Sequence, residues 1–292
     1  MAELDDLAAR IRAALLDTSA PLWLPELTDD LANVAWRKLN RDLRLTRDSY
    51  GTARVLRRDP GERCLVAVSL GNPSLDGPEI DQIPVELLPP ELALQCVGPD
   101  VRFFDANGIV ELGVSARVRD ALEILHAVPT VLHTVVALVR ALHLIDTADD
   151  EFDVSFSDPS LPFSAFISVP GPNADAGALR VAEALLHEAM HLQLSLIEEI
   201  VPLVTSNGGA YYSPWRNEYR TAQGVLHALY VFRVIDAFLG MVSFEDPALE
   251  PLRCHAVERR ATIAEQVHEI YNFRRCTDLT SDGAAFVERL LG

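Results

Sequence analysis

Residues 187–191 read His-Glu-Ala-Met-His, and these residue types at this spacing are suited to metal chemistry. On a helix, two histidines four apart lie one turn from each other on the same face, so both imidazoles can reach one ion. Glu188, directly after the first histidine, is then placed on the open side of that ion. There it can take a proton from bound water or order a substrate. The same string also occurs as a satisfied structural histidine pair, and the rest of the chain has to choose between the two.

A catalytic metal ordinarily takes a third protein ligand. Glu198 is seven residues beyond His191 on the same face, but ~1.5 Å of rise per residue puts it about 10 Å along the helix, too far to share the ion. His227 lies in the apolar run Val225, Leu226, Ala228, Leu229, Val231, Phe232, Val234 and Ile235, the pattern of a buried helix. A lone buried histidine is commonly a hydrogen-bonded core residue, but its neighbours favour a ligand. Arg220 is expected two turns earlier on the same helix face, with Gly224 leaving the surface between them low. A diacid chelated at the metal would lie across Gly224 and set its distal carboxylate on the guanidinium, whose paired donors match it. Glu218 is the alternative third ligand. The intervening loop, Tyr211-Tyr212-Ser213-Pro214-Trp215-Arg216, suits either packing or a substrate wall, and Arg216 is a second candidate for an anionic group.

These side chains need a scaffold, and hydrophobic spacing outlines one. No Pro or Gly falls between Arg180 and Ile200, so the metal string sits inside a long helix. Helices are also expected over residues 3–16, about 29–48, 116–146 (in two pieces broken near Pro129), 219–239, 250–271 and 282–291. Strands are expected at 64–70, 151–156 and 163–169, and residues 101–112 read as a hairpin turning at Asp105-Ala106-Asn107-Gly108. The fold class is mainly α with a small β-sheet, the metal helix packing against a buried second helix and the sheet. Phe163–Val169 is the natural edge strand to pair with an extended peptide. A soft boundary near residue 115 divides 1–115, which would serve peptide recognition, from a metal-binding region at 116–292.

Composition narrows the function classes. A chain of 292 residues with 49% hydrophobic content can bury a large core. The net charge of −18 argues against nucleic acid and anionic membrane partners. The apolar runs are too short for a bilayer span, and the acidic start Met1-Ala2-Glu3-Leu4-Asp5-Asp6 is unlike a secretory signal, so a cytoplasmic location is expected. Cys64, Cys96, Cys254 and Cys276 are widely separated and read as thiols.

From about Asp158 to Phe238 the chain resembles the 2-oxoglutarate-dependent HExxH-type peptide beta-hydroxylases of bacterial peptide natural-product clusters. The matching residues are Leu186-His187-Glu188-x-x-His191, then Tyr211-Tyr212-Ser213-Pro214-Trp215-Arg216, then Gly224-Val225-Leu226-His227 with Tyr230-Val231-Phe232. Ala228 stands where the family pattern leads one to expect glycine. The resemblance implies iron(II) held by His187, His191 and His227. It also implies 2-oxoglutarate bound with help from Arg220, Arg216 and Tyr212, and hydroxylation of a side-chain carbon in a ribosomally made precursor peptide. Glu188 would then orient substrate or water, or add a ligand. The residues alone also allow a zinc metallopeptidase with Glu188 as general base, or a peptide-binding protein without catalysis.

Overall fold

The computed structural model describes residues 2–43, 66–68, 83, 85–87, 101–147, 153–157, 163–206 and 208–292. They form a mainly helical protein with two small sheets. The helices are α1 (Ala2–Leu16), α2 (Pro25–Leu43), α3 (Ala106–Glu111), α4 (Val114–His126), α5 (Pro129–Leu138), α6 (Gly177–Ile200), α7 (Ala222–Met241), α8 (Glu250–Glu269) and α9 (Ser281–Leu291). The strands are β1 (Val66–Val68), β2 (Val85–Leu87), β3 (Arg102–Phe103), β4 (Ala141–Asp146), β5 (Ser155–Phe156), β6 (Ser164–Ser168), β7 (Tyr211–Ser213) and β8 (Glu218–Arg220). The chain divides into two compact units, Ala32–Leu192 and Met1–Leu31 with Gln193–Gly292; the division falls within α6. Residue 115 lies inside the first of these, in α4.

In the unit Ala32–Leu192 the larger sheet runs β1-β2-β4-β6-β5, with β3 also paired to β4. β4 and β6 are parallel, Ala141 opposite Ser164 through Ile145 opposite Ser168, and every residue of β6 is buried. Burial on both faces is usual for parallel strands and gives continuous apolar runs instead of alternation. That explains why residues 141–146 read as the tail of a helix and are a strand. Residues 101–112 are another correction. Only Arg102–Phe103 is extended, and Asp105 Oδ1 accepts from Gly108 N at 2.7 Å, starting α3 where a hairpin turn was expected. β6 is also no edge strand, since β4 flanks one side and β5 the other. Among the described residues, β6 has a strand neighbour on each side. His143 sits in this core, fully buried and stacked on Phe166 at 4.4 Å.

In the other unit, α1 packs on α9 and α7 on α8. Arg289 closes the end of α1, donating to Ala14 O and Ala20 O at 2.6 Å each. Thr280 caps α9 by accepting from Gly283 N at 3.0 Å. A Cβ on Gly283 would lie 2.0 Å from Leu203 O, so only glycine fits there. The end of α6 and α7 run antiparallel, because Gln193 pairs with Tyr230 while Glu198 pairs with His227 and Gln223.

α7 corrects the expectation that no segment could span a bilayer. It is long and apolar enough, but 67% of the qualifying window is buried, as befits a core helix. Its start also differs from the expected residue 219. Thr221 is the N-cap, its hydroxyl accepting from Gly224 N at 3.2 Å, and residues 218–220 pair as β8 with β7. The other expected elements agree where they are described: α1, α2, α8 and α9 form, and strands form at 66–68, 155–156 and 164–168. Residues 44–48, 64–65, 69–70 and 151–152 lie outside the described residues.

Candidate metal centre and its neighbours

α6 is an unbroken helix of 24 residues, and the motif sits at its middle. Asp153 grips Arg180 near its start with two bonds of 2.8 and 2.9 Å. One turn of helix brings His187 Nε2 and His191 Nε2 to 3.1 Å, with ring centroids 4.7 Å apart. Two nitrogens each about 2.1 Å from one ion, at ~90–109° to each other, lie roughly 3.0–3.4 Å apart. The pair therefore fits two ligands of one metal. Glu188 is 1% exposed, with Oε1 3.9 Å from His187 Nε2. Burying a carboxylate is costly, and this one stands in a stretch of helix whose flanking residues Leu185, Leu186, Ala189 and Met190 are all buried.

His227 lies on α7 and is nearly buried. Its Nε2 is 2.8 Å from Glu198 Oε2, an oxygen that also accepts from Gln223 Nε2 at 2.9 Å. Spacing along the helix excluded Glu198 as a ligand sharing the ion with His191, and the structure gives it this other contact. Among the described residues, no group of three or more His, Cys, Asp or Glu side chains converges as a ready metal site. The structure thus brings His187 and His191 together and pairs His227 with Glu198.

The β7–β8 hairpin carries the remaining candidates. Arg220 is on β8, not on the helix of His227, because Thr221 ends the strand and caps α7. Its side chain still lies over Gly224: a Cβ built there would be 3.5 Å from Arg220 Nε. The guanidinium is 41% exposed and 3.6 Å from Glu218 Oε1. Glu218 itself is well exposed. Arg216 is exposed, and Tyr212 donates to Asn217 Oδ1 at 3.0 Å beside Tyr219. Trp215 stacks flat on Phe232 of α7 at 5.2 Å, with Arg259 over the same ring. Its Nε1 and the Ser213 hydroxyl are buried without a hydrogen-bond partner.

Asp278, which sequence reasoning missed, fastens the start of this region. It accepts from Ser206 Oγ at 2.9 Å, and from Gly209 N and Tyr211 OH at 3.0 Å each. The Ser206 bond, with those from Tyr211 and Gly209, holds its carboxyl below the usual range. Tyr211 is pushed up to about 12 by its bond with Cys276, and further by burial. No local pattern distinguishes Asp278 from a surface aspartate, since its partners are 67–72 residues away.

No family model matches this chain, and no curated protein matches it.

Proposed function

We propose that this protein is an iron(II)- and 2-oxoglutarate-dependent oxygenase that hydroxylates a side-chain, beta-position carbon of a ribosomally made precursor peptide in the cytoplasm. The observation that carries the reading is the His187–His191 pair, 3.1 Å apart at Nε2, beside a carboxylate buried in an apolar stretch of helix. His187 and His191 would hold the metal with His227 as third ligand, a choice resting on the chain's spacing and on the motif resemblance. Imidazole serves iron and zinc alike, so ligand type does not choose between them. When bound, iron and 2-oxoglutarate supply the oxidising chemistry.

The chain's own residues bind and orient. Arg220 would receive the distal carboxylate of 2-oxoglutarate across Gly224, with Arg216 and Tyr212 as further contacts from the hairpin. The unpartnered donors Ser213 Oγ and Trp215 Nε1 support a ligand-facing role for this segment. Glu188 would hold a proton or a substrate group on the open side of the metal. The acidic surface implied by the net charge of −18 fits a peptide and not a nucleic acid.

The test is anaerobic purification with determination of bound metal, followed by assay for conversion of 2-oxoglutarate to succinate with oxygen uptake. Iron together with succinate is expected. Bound zinc and peptide-bond cleavage without oxygen uptake would replace this reading with a zinc metallopeptidase using Glu188 as general base.

A further inference from the structure

We infer that Asp278 is a positioning residue for Arg220: its carboxylate holds Tyr211 at the start of β7, and Tyr211 stands directly opposite Arg220 in the hairpin. The inference rests on the cosubstrate role proposed above for Arg220. Every residue involved lies in the unit Met1–Leu31 with Gln193–Gly292. Backbone pairing ties residues 278–280 to residues 203–205. Val204 bridges to Leu279, Thr205 N donates to Asp278 O at 2.7 Å, and Thr280 N donates to Leu203 O at 3.0 Å. Among the described residues that pairing ends at Thr205, and the Asp278 side chain takes over. Oδ1 accepts from Ser206 Oγ, while Oδ2 accepts from Gly209 N and Tyr211 OH. One carboxylate thus spans the stretch from the last paired residue of the loop to the first residue of β7.

Two further observations show that the loop is shaped around this carboxylate. A Cβ on Gly209 would lie 2.4 Å from Asp278 Oδ2 and 2.7 Å from the Tyr211 ring, so a side chain there would displace one or the other. The Tyr211 ring also meets Phe273 at 5.6 Å, so the phenol is held at its ring as well as at its hydroxyl. From Tyr211 the ladder leads straight across to Arg220. All three residues of β8 are exposed, and among the described residues β8 pairs with β7 alone. A two-stranded ladder is marginal by itself, so the place of Arg220 depends on where β7 is anchored.

The experiment uses the full chain and reads hydrogen exchange over residues 209–220 beside the 2-oxoglutarate requirement for succinate formation. Asp278→Ala keeps the backbone bonds to Thr205 and Leu203 and removes only the carboxylate. Exchange over 209–220 should speed up about tenfold. The cosubstrate requirement should rise about two- to fivefold, no further than in Arg220→Ala, with the maximal rate kept. Asp278→Asn should restore both, because its amide oxygen accepts from Gly209 N and Tyr211 OH while its NH₂ donates to Ser206 Oγ. Tyr211→Phe should give a smaller rise in the same direction. Asp278→Ala/Arg220→Ala should require no more 2-oxoglutarate than Arg220→Ala alone. Unchanged exchange in Asp278→Ala would overturn the inference. So would an effect that multiplies that of Arg220→Ala, or an equal loss in Asp278→Asn, which would assign the role to charge and not to position. No succinate from the unsubstituted protein would overturn the proposed function and the cosubstrate role of Arg220 with it. Faster exchange in Asp278→Ala would tell that outcome apart, since the anchor is then present and only its purpose is wrong.

Discussion

Gly224 offers the sharpest test of the arginine bridge, because a small and a large side chain there should act in opposite directions. A Cβ at this position meets Arg220 Cβ, Arg220 Nε and Thr221 Oγ1, all at 3.5 Å, which is ordinary van der Waals contact. Gly224 is in the first turn of α7, where alanine loses less backbone entropy on folding. Gly224→Ala should therefore stabilise by ~0.5–1 kcal/mol, raising Tm by about 1–4 °C and leaving cosubstrate dependence unchanged. Gly224→Leu adds three carbons beyond the Cβ into the space of the guanidinium and must displace it. A charge-assisted contact is worth ~1.5–3 kcal/mol when sheltered, but Arg220 is 41% exposed, which brings the estimate down to about 1 kcal/mol. The apparent 2-oxoglutarate requirement in succinate formation should thus rise about fivefold in Gly224→Leu, and equally in Arg220→Ala. The double variant should show the same fivefold change, since both substitutions remove one group. A multiplicative effect of about 25-fold would mean that the two residues act separately. No change in either single variant would refute the bridge.

Other substitutions probe the remaining parts. His187→Ala and His191→Ala should each abolish most metal binding in a cobalt titration while leaving the helical circular dichroism intact, because both side chains sit on one face of an otherwise regular α6. Glu188→Gln should retain metal and some succinate formation uncoupled from peptide. In a zinc hydrolase it would remove a base worth ~100-fold or more, so complete loss with metal retained favours that alternative. Tyr230→Phe removes the hydroxyl that donates to Gln193 Oε1 in a buried network reaching Trp23 O at 3.0 Å, and should cost ~1–3 kcal/mol in thermal unfolding at neutral pH. Burial holds the Tyr230 phenol far above its ordinary value. The stability it lends is therefore present below the unfolded value near ~10 and is lost as pH rises above it, so the gap between Tyr230→Phe and the unsubstituted protein should narrow in alkaline melts.

The sequence made the helices legible wherever an apolar stripe recurred at helical spacing between clear stops, as in α1, α6 and α9. It misled where both faces are buried. Residues 141–146 follow α5 almost without a break, and five of the six are buried, so no alternation marked them as a strand. At residues 218–221 the error was one of position. The run of apolar residues after Arg220 set the helix, but the stop signal was Thr221, whose hydroxyl captures Gly224 N. Arg220 consequently left the helix of His227, yet its side chain kept the neighbour that spacing had proposed, Gly224.

The polar residues of α6 and α7 show why a candidate site is harder to read than a helix. Gln193, Glu198 and Glu188 all interrupt apolar sequence in the same manner, and periodicity assigns each a face without a partner. Gln193 meets Tyr230 and Trp23, which makes it a cross-brace between elements and a matter of stability. Glu198 meets His227 and Gln223, so a residue excluded as a ligand by helical rise instead ties the end of α6 to α7. Both assignments depend on the antiparallel register of α6 against α7, where contacts span 25 to 37 residues. Glu188 differs from both, because its neighbours His187 and His191 come from its own helix turn and need no such register. The motif could therefore be read from five consecutive residues, whereas the histidine proposed to complete it could only be understood once the opposite helix was in place.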